Sequence, residues 1–270
     1  MRADLHAHTT ASDGTLAPDA LVARAIERGL DVLAVTDHDS VAGIAAAVAA
    51  SRGTALTVVP GVELSAVWED RDVHVLGYFI DAEDAHLLAH LEDLRLARLH
   101  RAEAIVAALR EAGYDVRIEE VLDLAGGGSV GRSHVARALV NGGHVPSVPD
   151  AFANLLGRGR PFYVSKDVRS PVDVLEVIRS AGGLSVLAHP GVTHVDDLVP
   201  TLVEGGLSGI EAFHAEHTPE DRERYARLAA DLGLLVTGGS DFHGIGTPAA
   251  ELGSVDLPPE AVERLLAARP

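Results

Sequence analysis

The first residues of the chain constrain its fold most, because they place two histidines on one face of a predicted β-strand. Residues 2–9 read as an extended run, and side chains alternate between the two faces of a strand. His6 and His8 therefore point the same way, and Asp13 follows on the next loop. Two imidazoles beside a carboxylate make part of a metal site. The N-terminal strand thus predicts a metal centre that residues elsewhere must complete.

The amino-acid composition limits what such a centre can be made of. The chain has 270 residues, of which 47% are hydrophobic, as expected for a globular protein with one barrel-type domain or two smaller ones. It has no cysteine, which excludes disulfides, thiolate ligands and a cysteine nucleophile. Histidine, carboxylate and water remain as ligands, a set that suits manganese, iron or zinc.

The charge of the chain bears on its partners. The formal net charge is −18, from 22 basic and 40 acidic residues, which argues against binding to long nucleic acid duplexes. It does not exclude a small phosphorylated substrate, because divalent cations reverse the field locally. The sequence contains no apolar run of membrane-spanning length and no export signal, so we expect a cytoplasmic protein. Nothing in it predicts a membrane or a protein partner.

Strand and helix patterns alternate along most of the chain. Short apolar runs predict strands near residues 31–36, 56–65, 72–79, 184–189, 207–213 and 234–240, with helices between most of them. About seven such units with parallel strands predict an α/β barrel. Residues 100–166 contain no clear buried strand, and we interpret them as a helical insertion, or cap. The barrel would then comprise residues 1–99 and 167–270.

Nine histidines and carboxylates fall mostly where the predicted strands end. They are His6, His8, Asp13, His38, Glu63, His74, His189, Asp241 and His243. In a barrel of parallel strands these ends meet at one mouth, where active sites are built. Nine ligands exceed the needs of one ion, so we expect two or three, with Glu63 and Asp241 as bridging carboxylates.

Five motifs in this order resemble those of the PHP (polymerase and histidinol phosphatase) superfamily. They are Asp4-Leu5-His6-Ala7-His8 with Ser12-Asp13-Gly14, Thr36-Asp37-His38-Asp39, Pro60-Gly61-Val62-Glu63, Ala188-His189-Pro190 and Gly239-Ser240-Asp241-Phe242-His243. The resemblance implies a distorted seven-unit barrel, two or three divalent ions (Mn²⁺, Fe²⁺ or Zn²⁺) and phosphoesterase activity. It also implies that the nine residues named above are the metal ligands.

The predicted cap carries a more specific resemblance. Residues 131–137 are similar to a Gly-Arg-Pro-His run found in a subgroup that includes nucleoside 3′,5′-bisphosphate phosphatases and 5′-exonucleases of short RNA, with Ser133 in place of the proline. The resemblance implies that Arg132 and His134 bind the substrate phosphate. Lys166 resembles a family position at the end of the cap and is a further candidate for phosphate binding.

Two further histidines follow the predicted strand at residues 207–213. His214 and His217 are candidates for substrate contact or for support of the metal ligands, and either could instead cap the next helix. The resemblance suggests that a hydroxide held between the metals attacks phosphorus in line. A general acid for the leaving oxygen would be a histidine of the site, but the sequence singles out none.

Three other functions are compatible with parts of this pattern. Histidinol-phosphate phosphatase would use the same barrel and metals. A metal-binding or regulatory module without catalysis would be expected to lack ligands, whereas all nine are present here. A metal-dependent amidohydrolase fits the architecture, because fold does not fix function. It would not explain Arg132 and His134.

Overall fold

A computed structural model of the chain describes residues 1–69, 71–165, 169–244 and 250–270. Seven strands form one sheet whose spatial order follows the order of the sequence. They are β1 (Ala3–Asp4), β2 (Val32–Val35), β3 (Thr57–Trp68), β4 (Arg71–Tyr78), β5 (Leu184–Leu187), β6 (Gly209–His214) and β7 (Leu235–Gly239). In the described ranges, no helix has both the length and the apolar character needed to cross a bilayer.

The sheet curls until its first and last strands meet. The N–H of Leu5 donates to the carbonyl of Gly238 at 3.2 Å, and Ala7 forms a parallel bridge with Phe242. The result is a nearly closed, barrel-like sheet of seven strands with helices around it, which confirms the predicted fold class.

One feature of the predicted sheet was wrong, because the strands are not all parallel. β4 runs antiparallel to both β3 and β5, whereas the other neighbouring pairs are parallel. The reason lies in the connection: Trp68 pairs directly with Arg71, and so short a link permits only an antiparallel hairpin. His74 and Glu63 consequently lie within long strands and not at strand ends.

The predicted first strand is also longer than the observed one. Regular pairing with β2 covers only Ala3 and Asp4. The chain continues extended beyond them, and the N–H of His8 donates to the carbonyl of Phe242 at 2.9 Å. His6 and His8 both have 0% exposure, so the alternation that placed them on one buried face holds without a regular strand.

The helices surround the sheet and form the segment between β4 and β5. Their bounds are α1 (Pro18–Glu27), α2 (Ile44–Ser51), α3 (Ala85–Glu111), α4 (Ile118–Ala125), α5 (Arg132–Asn141), α6 (Val148–Ala151), α7 (Pro171–Ser180), α8 (Pro190–Thr193), α9 (Val199–Glu204), α10 (Pro219–Asp231) and α11 (Pro259–Ala267). A π-helical turn, Phe152–Leu156, follows α6, and a 3₁₀ turn, Asp196–Leu198, precedes α9.

The long helix α3 contributes to two hydrophobic cores. Leu87 and Leu94 in its first half pack in the core between the sheet and helices such as α7. Leu109 in its second half packs in a separate core with residues of α4, α5 and α6, such as Leu139. Because these helices share a core that is separate from that of the sheet, the structure supports the interpretation of residues 100–166 as a cap. The boundaries of this cap stay a prediction.

A buried carboxylate fixes the seam between β1 and β7. Asp4 is 1% exposed and accepts hydrogen bonds from the Ser240 hydroxyl at 2.5 Å, the Ser240 N–H at 3.0 Å and the Gly253 N–H at 2.7 Å. Burial raises the pKa of Asp4, while these donors act in the opposite direction. The two oxygens of Asp4 thus connect β1 to the residue that follows β7 and to the segment that contains Gly253.

Replacing Asp4 tests this seam. Asp4→Ala leaves the Ser240 and Gly253 donors buried without an acceptor, and we expect it to lower the free energy of unfolding by about 3 kcal/mol. Asp31→Ala removes an exposed carboxylate that accepts from the Arg2 N–H and should cost less than about 1 kcal/mol. Urea denaturation with chelator present measures both, and equal losses would contradict a special role for Asp4.

Candidate metal centre

The structure brings the nine predicted ligands into one cluster at the mouth of the barrel, in which four residues are buried and five are partly exposed. They come from the extended segment and loop after β1, the loops after β2, β5 and β7, and the interiors of β3 and β4. They are His6, His8, Asp13, His38, Glu63, His74, His189, Asp241 and His243.

The carboxylate of Glu63 lies at the centre of this cluster with 0% exposure. Its Oε1 lies 2.8 Å from His74 Nδ1 and 3.1 Å from His189 Nε2. Its Oε2 lies 2.9 Å from His38 Nδ1 and 3.3 Å from His8 Nε2. The two oxygens therefore face different sets of imidazoles, as a carboxylate between two ions would.

Two aspartates complete the cluster on the side of β1 and β7. Asp241 Oδ1 lies 3.0 Å from His8 Nε2 and 3.3 Å from His6 Nε2. Asp13 Oδ1 lies 3.3 Å from His243 Nε2. Each of these carboxylates thus contacts imidazole nitrogens of a different chain segment, so the segments that follow β1 and β7 are in contact through the cluster.

The geometry of these contacts fits divalent cations. Ligand atoms about 2.1 Å from one ion lie about 3.0 to 3.4 Å from each other, close to the N···O distances found here. His38 Nδ1 and Glu63 Oε2 lie 2.9 Å apart, yet neither atom has a hydrogen-bond partner among the described residues. Two ligand atoms at this distance that form no hydrogen bond with each other are suited to bind the same ion. His6 Nε2, Asp13 Oδ1 and His189 Nδ1 are likewise buried without such a partner.

The donor atoms form three groups compact enough for one ion each. They are His8-Asp13-His38-His243, His6-His8-Glu63-Asp241 and His38-Glu63-His74. A fourth group contains His6, Glu211 and His214. His189 joins the cluster through Glu63.

Opposite charges compensate the burial of the cluster. Burial opposes the charge of Glu63, but the imidazoles of His38 and other histidines hold the pKa of this carboxyl well below its usual range. Burial likewise opposes a charged His243, but Asp13 and Asp241 raise its pKa to about 10. The carboxylates are therefore ionised at neutral pH, as metal binding requires, whereas His243 carries a proton that a bound ion would have to displace.

Backbone strain concentrates at the same place. His189 and Asp241 have φ of 29° and 54°, and Asp39, next to His38, has φ of 48°. Such conformations are unfavourable for residues other than glycine and persist where surrounding contacts impose them. Here they direct side chains of the loops after β2, β5 and β7 toward the cluster.

Sequence reasoning missed Glu211, which supports the cluster from behind. This carboxylate is 0% exposed inside β6, and His6 Nδ1 lies 3.0 Å from its Oε1. It also accepts a hydrogen bond from the backbone N–H of His189 at 2.8 Å. A proton held on His6 Nδ1 leaves Nε2 free to bind an ion. The signal was present in the sequence, because Glu211 interrupts an apolar run.

The two histidines after β6 have different surroundings. His214 Nε2 lies 3.6 Å from Asp241 Oδ2, so this buried ring borders the cluster. His217 donates from Nδ1 to the carbonyl of Ala212 at 2.9 Å and accepts the N–H of Gly191 at Nε2, at 3.0 Å. With both nitrogens engaged by the backbone, His217 is suited to hold loops together.

Arg132, at the first position of α5, faces β4. It donates to Asp72 at 2.9 Å, and its guanidinium lies 5.7 Å from the Phe152 ring and 5.6 Å from the Tyr163 ring. Asp72 and His74 are two residues apart on one strand and so share a face. Arg132 therefore reaches the face of β4 that carries a predicted ligand.

His134 is buried in the first turn of α5. Its ring is 1% exposed, and Nδ1 accepts the N–H of Gly131 at 3.0 Å. Burial, with the positive charge of Arg137 nearby, lowers the pKa of His134 to about 4, so the ring is neutral at pH 7. Lys166 lies outside the described residues.

The role of Glu211 can be tested through metal affinity. Glu211→Ala removes the acceptor for His6 Nδ1, and we expect manganese affinity to fall about tenfold, as for other residues that orient metal ligands. Glu216→Ala alters an exposed carboxylate nearby on the chain and should leave the affinity unchanged. Competition with a fluorescent chelator measures both, and unchanged affinity in Glu211→Ala would refute this role.

Comparison with known proteins identifies the family. The PHP domain family model matches residues 4–129. The chain is 39% identical to the 5′-3′ exoribonuclease Rnm of Escherichia coli (strain K12), over 89% of this chain and 84% of that protein. It is 36% identical to the 3′,5′-nucleoside bisphosphate phosphatase of Chromobacterium violaceum, over 95% and 92%. It is 39% identical to a phosphoribosyl 1,2-cyclic phosphate 1,2-diphosphodiesterase of Eggerthella lenta, over 89% and 94%.

Solved structures agree with this assignment. A protein from Bifidobacterium adolescentis, proposed to be a metal-dependent phosphoesterase, superposes with a TM-score of 0.91 at 35% identity, covering 98% of this chain and 95% of its own. An amidohydrolase from Chromobacterium violaceum with bound sulfate and no metal gives a TM-score of 0.90 at 35% identity, covering 100% and 97%. The chain belongs to the PHP domain family and is a metal-dependent phosphoesterase.

Proposed function

We propose that this phosphoesterase hydrolyses phosphate esters of small nucleotides, either nucleoside 3′,5′-bisphosphates or the 5′ end of short oligonucleotides. The observation that carries the proposal is the buried cluster centred on Glu63, whose two oxygens face separate imidazoles. The relatives named for RNA and for nucleoside bisphosphates support the substrate class, since each matches most of the chain.

We assign the metal-ligand role to the nine clustered residues, with two or three divalent ions (Mn²⁺, Fe²⁺ or Zn²⁺). Three compact donor groups support this number, and ligands that are all nitrogen or oxygen suit these metals. Glu63 and Asp241 contact several imidazoles each, which supports bridging by both. When bound, the ions lower the pKa of water and withdraw charge from the phosphoryl oxygens.

The residues of the chain have separate tasks in this scheme. Glu63 and Asp241 would hold the ions, while Glu211 would keep the proton on His6 Nδ1. Arg132 binds a phosphate oxygen pair, for which its guanidinium is oriented by the Phe152 and Tyr163 rings. The bound phosphate would take over hydrogen bonds that Arg132 now makes to Asp72.

The phosphate-binding role that the motif implies for His134 stays a prediction. Its buried ring already accepts the Gly131 N–H, which supports a role in holding the start of α5 beside the site. The proposed role of Lys166 rests on sequence alone. His214 borders Asp241 and is the histidine after β6 best placed to influence the ions.

A second candidate substrate is a cyclic phosphodiester of a phosphorylated ribose. The Eggerthella lenta relative that carries this activity in its name is 39% identical and is matched over 94% of its length. The same metal centre would serve both reactions, because each needs a nucleophile in line with the leaving oxygen. The choice between them depends on the cap and needs direct measurement.

Phosphate release from manganese-loaded protein tests the proposed function. Parallel reactions contain adenosine 3′,5′-bisphosphate, AMP, a short 5′-phosphorylated RNA, phosphoribosyl 1,2-cyclic phosphate and histidinol phosphate, with nucleotide release also followed for the RNA and ring opening for the cyclic phosphate. We expect turnover of the bisphosphate or the RNA, because relatives that match most of the chain are named for these two substrates. Turnover of histidinol phosphate alone would contradict the assigned substrate class and the role of Arg132.

Matched variants separate the metal centre from general effects of mutation. Asp13→Ala or His243→Ala should reduce turnover by about a hundredfold or more, since each removes a proposed ligand. His86→Ala removes an exposed histidine distant in sequence from the ligand motifs and should retain full activity. Full activity of metal-loaded Asp13→Ala would exclude Asp13 as a required ligand.

A further inference from the structure

The start of α5 in the cap contacts the loop that carries Asp13. The N–H of Ser129 donates to the carbonyl of Ala11 at 3.2 Å. The guanidinium of Arg137 donates to the carbonyl of Asp13 at 3.4 Å. The Ser133 hydroxyl donates to Asp13 Oδ2 at 3.0 Å. Residues 129–137 thus hold this loop through both its backbone and its carboxylate.

The two oxygens of Asp13 have different partners. Oδ1 faces the imidazoles of the cluster, 3.3 Å from His243 Nε2 and 3.9 Å from His8 Nδ1. Oδ2 accepts the Ser133 hydroxyl. Since a carboxylate that binds an ion through one oxygen is oriented by a hydrogen bond to the other, this arrangement fixes how Asp13 presents Oδ1.

We propose that Ser133 is a positioning residue through which the cap orients Asp13 for metal binding. The inference rests on the proposed role of Asp13 as a ligand. The backbone of the same helical turn carries Arg132, the proposed phosphate ligand, so one short segment of the cap contacts both metal ligand and substrate. A proline at position 133 would be tolerated in the first turn of α5 but would lack the hydroxyl.

The other hydrogen bonds of the loop that carries Asp13 do not orient the carboxylate of Asp13. The carboxylate of Asp37 accepts hydrogen bonds from the Thr9 N–H and from the Ser12 hydroxyl, each at 2.7 Å. These bonds fix the backbone on the sides of Asp13, but they leave rotation of its carboxylate free. Of the described residues, the one that donates to Asp13 Oδ2 comes from the cap.

The test is the manganese affinity of the full-length protein, measured by competition with a fluorescent chelator. Ser133→Ala and Ser133→Pro should weaken the affinity for one ion about tenfold. Ser133→Thr should retain the original affinity, because threonine keeps the hydroxyl. Ser129→Ala is the matched control. Its hydroxyl is buried without a hydrogen-bond partner among the described residues, and its contact to Ala11 is made by the backbone. Affinity in this control should match the original protein.

The outcomes distinguish this inference from the proposed metal site. If Asp13→Ala loses affinity and Ser133→Ala does not, the inference is wrong and the metal site stands. If Asp13→Ala binds manganese as tightly as the original protein, the ligand role of Asp13 fails and the inference fails with it. An equal loss in Ser129→Ala would mean that the cap acts by general stability, which also contradicts the proposal. In the double variant, Ser133→Ala should add no loss to that of Asp13→Ala.

Discussion

The architecture of the site depends on one buried carboxylate. Glu63 is fully enclosed within β3, where an isolated negative charge would be strongly unfavourable. Imidazoles from both sides of the barrel mouth surround it, and bound cations would compensate its charge further. The fold therefore has to deliver histidines from several strands and loops to one point.

The sheet meets this requirement through an antiparallel hairpin and through the seam that closes the barrel. The antiparallel hairpin of β3 and β4 places His74 beside Glu63 without a connecting helix. The seam between β1 and β7, tied by Asp4, brings Asp241 next to His6 and His8. Positive φ at His189 and Asp241 accompanies the turn of these two side chains into the cluster. Strands and strained loops together set the spacing of the clustered side chains.

Much of this could be predicted from the sequence, for identifiable reasons. Histidines and carboxylates that interrupt apolar runs, together with the resemblance to the PHP motifs, predicted the members of the cluster and the barrel class, although Glu63 and His74 lie within strands and not at strand ends. The direction of β4 was missed because two adjacent strand patterns were assigned to parallel units in spite of the short link between Trp68 and Arg71. Glu211 was missed because its role depends on its contact with His6 Nδ1, which the sequence does not show. The roles of His134 and His217 were ambiguous because they depend on which groups each ring nitrogen contacts in the folded chain.

Anomalous X-ray diffraction from crystals soaked in manganese would show how many ions the cluster binds. We expect at least two anomalous peaks within the cluster, with Oε1 and Oε2 of Glu63 beside different peaks and Asp241 in contact with both. A single peak bound by both oxygens of Glu63, or peaks only outside the nine residues, would contradict this expectation.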